Sequence, residues 1–179
     1  MPHYVSDDDL CETTGSVCLH NWERGAMRIL STCTILLSAA FCLNAADNKV
    51  DIYTPKEMKA VGEKLSKKGG QFVSQELTRW GNHYTMLAHR EQTGSSEVHQ
   101  HEADIFVVEE GEASILTGGT LVNSKTEKAG ELRGSSLTGG ERHPLSAGDI
   151  IHIPAGVPHQ LLVEKGKPFT YFVIKVTGQ

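Results

Sequence analysis

Val98-His99-Gln100-His101 sets two imidazoles two residues apart. On an extended strand, residues i and i+2 point to the same face, so His99 and His101 offer nitrogens to one shared ion. Alone, an HxH triplet is a weak signal. His152 alternates with Ile151 and Ile153 and faces either the interior or solvent. His83 and His89 share the parity of Thr85 and Leu87, either as packed groups or as contacts beside a site. Arg142 and His143 read as surface groups, Trp80 and Tyr84 as core, and Gln160 points away from its neighbour His159 on a regular strand. Asp149, next to Gly148, is a turn organiser through its own backbone hydrogen bonds. Arg133 is either a solvated surface charge or a clamp for an anionic substrate.

The elements that must position these groups are mostly short strands. Runs of strand-forming residues cover Gln71 to Leu77, His83 to Arg90, Ile105 to Glu109, Glu112 to Leu116, Ile150 to Pro154, Gln160 to Val163 and Phe169 to Val176. Glu109-Glu110-Gly111-Glu112 joins two of them as a tight hairpin. Many short strands without βαβ alternation or repeats predict an all-β sandwich or barrel. One helix precedes them: Thr54-Pro55-Lys56-Glu57 has the form of a capping box with proline at the first helical position. Met58, Val61 and Leu65 give it an apolar stripe to lay on the outside of the barrel, and Gly69-Gly70 ends it. The polar, glycine-rich stretch from Gly118 to Gly140 is too long for an ordinary turn. It is either a disordered insert or an extra hairpin, and either a lid, a subunit contact or a plain surface loop.

The first 46 residues differ from the rest and hold all four cysteines, Cys11, Cys18, Cys33 and Cys42. Residues 29–46 are uncharged, follow Arg24 and Arg28, and end in small residues before Asp47. That layout predicts a signal peptide over 27–46, an upstream extension over 1–26, and an exported, periplasmic or secreted domain over 47–179. Its strongly apolar part falls short of the roughly 20 residues that span a bilayer, so no membrane span is expected after cleavage. The domain that remains is cysteine-free and must rest on its core. Net charge is −5 and no Lys/Arg run is long enough to track a phosphate backbone, which argues against nucleic acid as a partner.

Gly148, Pro154, Gly156 and His159 resemble the second cupin motif, and His99, His101, Asp104, Ile105 to Val108 and Gly111 resemble the first. The chain is therefore identified as similar to small single-domain proteins of the cupin superfamily. The resemblance covers most of 47–179, with residues 118–142 as an insert between the motifs. It implies a double-stranded β-helix, the jelly-roll barrel, and a divalent metal on His99, His101, Asp104 and His159. Such a donor set suits Fe, Mn, Ni, Zn or Cu, and donor type does not choose among them. Cupins usually carry glutamate three or four residues after the second histidine, whereas Asp104 follows His101 more closely. Either a bulge re-aims Asp104 inward, or water takes the carboxylate's place, or Glu102 substitutes.

Two functions follow from the resemblance. One is a small-molecule metalloenzyme, a dioxygenase, isomerase or lyase acting on an oxygen-rich organic acid or sugar. The other is non-catalytic capture of a small ligand or metal, since fold does not fix function. A homodimer is the assembly that the resemblance implies.

Overall fold

Thr54 starts helix α1 (Pro55–Lys68) with both halves of the capping box. The Glu57 N–H donates to Thr54 Oγ1 at 3.3 Å, and the Thr54 N–H donates to Glu57 Oε2 at 3.0 Å. Gly69, at φ +66°, ends the helix in a conformation that only glycine adopts easily. The computed structural model describes residues 49–179. The upstream extension and the signal peptide expected over 1–46 lie outside the described residues, among which no helix is long and apolar enough to cross a membrane.

All other regular structure among the described residues is β. The strands are β1 (Phe72–Arg79), β2 (His83–Arg90), β3 (Ser96–His99), β4 (Glu102–Glu110), β5 (Glu112–Thr117), β6 (Thr120–Val122) and β7 (Lys125–Lys128). They continue as β8 (Glu131–Gly134), β9 (Ser136–Thr138), β10 (Glu141–Ser146), β11 (Ile150–Ile153), β12 (His159–Leu162) and β13 (Phe169–Thr177). One antiparallel sheet runs β1-β2-β13-β4-β11, a second runs β10-β5-β12-β3-β8-β7, and β6 pairs with β9. This is the all-β architecture with a short N-terminal helix that the motifs imply.

Alternation along the central strands separates two apolar groups. Ala88, Phe106, Val108, Tyr171 and Val173 meet Ile115, Leu145 and Leu161 of the other sheet in the main core. Leu87 and Phe172, of opposite parity, face outward and are covered by Met58, Val61 and Leu65 of α1. Gly111, at φ +91°, makes the β4–β5 turn, and a side chain there would strike the Pro168 carbonyl.

The glycine-rich stretch is ordered as two strand pairs rather than a loop. β6 pairs with β9, and β7 pairs with β8. β8 in turn adds to β3, with Val98 opposite Leu132 and His99 opposite Glu131. Gly134 is required by close approach: a Cβ there would fall 2.6 Å from Ser96 Oγ and 2.8 Å from the Val122 carbonyl.

Candidate metal centre

Strand register brings two rows of polar side chains to the inner space. In the first sheet Tyr84 lies opposite Lys175, and Lys175 opposite Asp104. In the second, His159 lies opposite Glu97, Glu97 opposite Arg133, and His99 opposite Glu131. Directly paired residues are close enough for their side chains to interact. Asp104, Phe106 and Val108 share a parity, as do Tyr171, Val173 and Lys175, so each charged residue continues an inward-facing apolar row.

The rows face one another closely. Asp104 Oδ2 lies 3.5 Å from His99 Nε2 and 3.6 Å from His159 Nε2. Glu97 Oε1 lies 3.3 Å from His159 Nε2, and Glu97 Oε2 lies 3.9 Å from His99 Nε2. His99, Asp104 and His159 are all buried. Burial lowers the pKa of both imidazoles, and for His99 the nearby Lys175 adds to it against the opposing pull of Asp104 and Glu131. Both rings are thus held neutral, the form that ligates a metal.

Among the described residues, His99 Nε2, His159 Nε2 and Asp104 Oδ2 are buried without hydrogen-bond partners. Orphaned polar atoms of this kind are costly and rare. Two ligands of one ion at about 2.1 Å stand about 3.0–3.4 Å apart for octahedral and tetrahedral angles. The three orphaned atoms and Glu97 Oε1 approach that spacing, and nitrogen with carboxylate donors suits a divalent transition metal. The residues fit the metal that the resemblance implies.

Around this cluster a further layer sets orientation. Glu131, buried on β8, contacts His99 Nδ1 at 2.6 Å, which places that ring's proton on Nδ1 and its lone pair on Nε2. The His159 Nδ1–H likewise donates to the Val157 carbonyl at 3.0 Å. Arg133 pairs with Glu97, reaches Glu127 at 3.1 Å and approaches Glu131 at 3.6 Å. Lys175 Nζ lies 2.6 Å from Asp104 Oδ1.

His101, expected beside His99, is exposed and outside this cluster. β3 ends at His99, and the Gln100 N–H donates to the Gly130 carbonyl at 2.8 Å, so the backbone turns before the alternation brings His101 inward. The residue two positions from His99 on the same face is Glu97. Asp104 reaches the interior without a bulge beside it, since β4 keeps unbroken register with β13 from Glu102 to Val108. Glu102 is half-buried, 3.5 Å from the Tyr84 hydroxyl, and groups with His99 and Glu131.

His89 is buried on the outer face under α1, bonded to Thr170 and Glu91. His83 stacks on Trp80 with ring centroids 4.7 Å apart, and His152 is exposed. Gln160 points away from the site, accepting from the Leu137 N–H, and Asp149 accepts from the Ser146 N–H in its turn. The motifs did not point to Glu97, Glu131 or Lys175. Glu97 was available from the same two-residue rule that selected His101, and Lys175 from the parity of Tyr171 and Val173.

A cavity of about 430 Å³ opens beside the cluster, lined by Glu97, His99 and Asp104 and by Met86, Phe106 and Val173. A larger cleft of about 570 Å³ between α1 and the β4–β5 turn gathers none of these donors.

The family model described as "Cupin domain" matches residues 129–175, which include His159 and Lys175. An uncharacterized conserved protein with a double-stranded β-helix domain from Klebsiella pneumoniae superposes with a TM-score of 0.50 at 19% identity, over 73% of this chain and 93% of that one. The DMSP lyase DddQ of Ruegeria pomeroyi gives a TM-score of 0.43 at 18% identity, over 59% of this chain and 47% of its own. The polyketide cyclase RemF of Streptomyces resistomycificus gives 0.43 at 15%, over 59% and 65%. No curated protein matches the chain. The likeness to the Klebsiella protein shows a double-stranded β-helix fold, and residues 129–175 are similar to the cupin domain.

Proposed function

We propose that this cupin binds a divalent transition metal through His99, His159, Asp104 and Glu97 and acts as a metalloenzyme on a small molecule. The substrate class is an oxygen-rich organic acid or sugar, and the reaction a dioxygenation, isomerisation or elimination. The observation that carries this reading is the convergence of three buried atoms without hydrogen-bond partners among the described residues, His99 Nε2, His159 Nε2 and Asp104 Oδ2.

When bound, such an ion polarises an oxygen of its ligand as a Lewis acid. The chain's own residues do the rest. Glu131 and the Val157 carbonyl fix both imidazole tautomers. Met86, Phe106 and Val173 wall the cavity with apolar surface that excludes water. Tyr84, its pKa pushed up to about 12 by burial and by Glu102, stays a neutral hydroxyl able to orient a substrate oxygen.

Elemental analysis of the untagged full chain tests the reading. Roughly one equivalent of metal per chain is expected. His99→Ala and His159→Ala should each abolish it, while His101→Ala should retain it. Metal retained in both His99→Ala and His159→Ala sinks the site.

We also propose export, supported by Arg24, Arg28 and the uncharged residues 29–46. Intact mass of the chain recovered outside the cytoplasm should correspond to a start near Asp47. Retention of the whole chain inside overturns export.

A further inference from the structure

Three cations that are buried or half-buried line the cavity beside the metal donors: Arg90, Arg133 and Lys175. Lys175 is matched by Asp104, and Arg133 by Glu97, Glu127 and Glu131. Arg90 differs. It is 9% exposed, yet among the described residues no carboxylate lies within ion-pair distance of its guanidinium. A buried charge without a partner is costly, and arginine is the side chain whose planar fork fits a carboxylate.

The guanidinium is also held in place. Its Nε–H donates to Tyr171 Oη at 3.0 Å, and Cζ lies 4.3 Å over the ring of Phe72. Gly94 leaves room for it, since a side chain there would overlap the guanidinium nitrogens. The terminal nitrogens remain for a ligand. Tyr84, Met86, Ala88 and Arg90 line one inward face of β2, so Arg90 stands at the other end of that strand from Tyr84, which lies opposite Lys175, with Met86 and Ala88 between them.

We propose that Arg90 is a carboxylate anchor, and that the substrate is a small molecule with an apolar middle and a carboxylate at the end remote from Asp104. This rests on the metalloenzyme reading and narrows its substrate class to organic acids. Tyr171 and Phe72 orient the guanidinium, and the carboxylate completes the ion pair that the protein leaves open.

The test is calorimetric titration of the chelator-stripped full chain with pentanoate, and with pentanamide, which has the same shape without the charge. Saturable pentanoate binding is expected, with pentanamide at least about tenfold weaker, the lower end of a charge-assisted hydrogen bond's contribution. Arg90→Met keeps an apolar stem over Phe72 and should lose pentanoate binding by at least the same factor, with no fall in Tm. Gly94→Ala should weaken pentanoate binding in the native background and change nothing further in Arg90→Met. Pentanoate bound equally well by Arg90→Met, pentanamide bound as well as pentanoate, or no saturable binding of either overturns the anchor. A merely structural Arg90 would instead lower Tm on substitution and leave pentanoate binding unchanged. Arg90-dependent pentanoate binding by a chain that takes up no metal would uphold the anchor and sink the metal reading; the reverse pattern would do the opposite.

Discussion

Asp104 faces two imidazole nitrogens on one oxygen and the Lys175 ammonium on the other. In the absence of metal, Lys175 is the cation that keeps this carboxylate from being an unpaired buried charge, and breaking such a pair costs roughly 3–5 kcal/mol. A divalent ion on the same carboxylate would take over that neutralisation and would be repelled by the ammonium nearby. Lys175→Met should therefore lower the Tm of the stripped protein, enlarge the Tm rise on adding metal, and tighten metal binding by about tenfold or more. Competition with a chromophoric chelator measures the last of these, and unchanged or weakened affinity would refute the competition. The motifs made His99, Asp104 and His159 legible because each is a short-range pattern on the chain. The parity of Tyr171 and Val173 points Lys175 inward, but that it meets Asp104 there is a long-range fact of register. Glu97 was obscured for another reason: a glutamate at the start of a strand is usually solvated, and only Arg133 and His159 across the sheet make its inward placement tenable.

At the scale of elements, β8 turns an insert into part of the site. Thr120 to Val122 and Glu131 to Arg133 are the apolar-polar runs that form β6 and β8, so a hairpin was one of the outcomes open from the residues alone. What composition does not carry is the pairing of β8 with β3, which sets Glu131 against His99 and Arg133 against Glu97. The short strand β3 carries little strand signal of its own, since Ser96–His99 has one aliphatic residue in four. Removing a carboxylate that orients a metal-binding histidine typically weakens metal affinity by about 10–100-fold. Glu131→Ala should fall in that range, whereas Glu131→Gln keeps an acceptor for the Nδ1 proton and should lose distinctly less. A chelator-competition series over native, Glu131→Gln and Glu131→Ala decides it. Equal affinities in all three would mean that β8 merely covers the site.

Over the whole molecule, one sheet serves two separate purposes. Its inner face carries the main core and the polar row of Tyr84, Lys175 and Asp104, while its outer face carries Leu87 and Phe172 under α1. The helix was legible to the residue because its cap, its stripe and its glycine stop are all local. That it lies on the outer face follows from the strands: the outward Leu87 of β2 and Phe172 of β13 need a cover. Leu65 is the centre of that cover and is fully buried. Leu65→Ala removes the apolar contact and leaves a cavity, at a cost of roughly 2–5 kcal/mol. Because this cluster and the metal donors lie on opposite faces of the sheet, the substitution should lower the urea midpoint while metal stoichiometry and affinity stay as in the native chain. A parallel loss of metal affinity at temperatures where Leu65→Ala remains folded would show that α1 supports the site through the sheet, and that the two faces act as one.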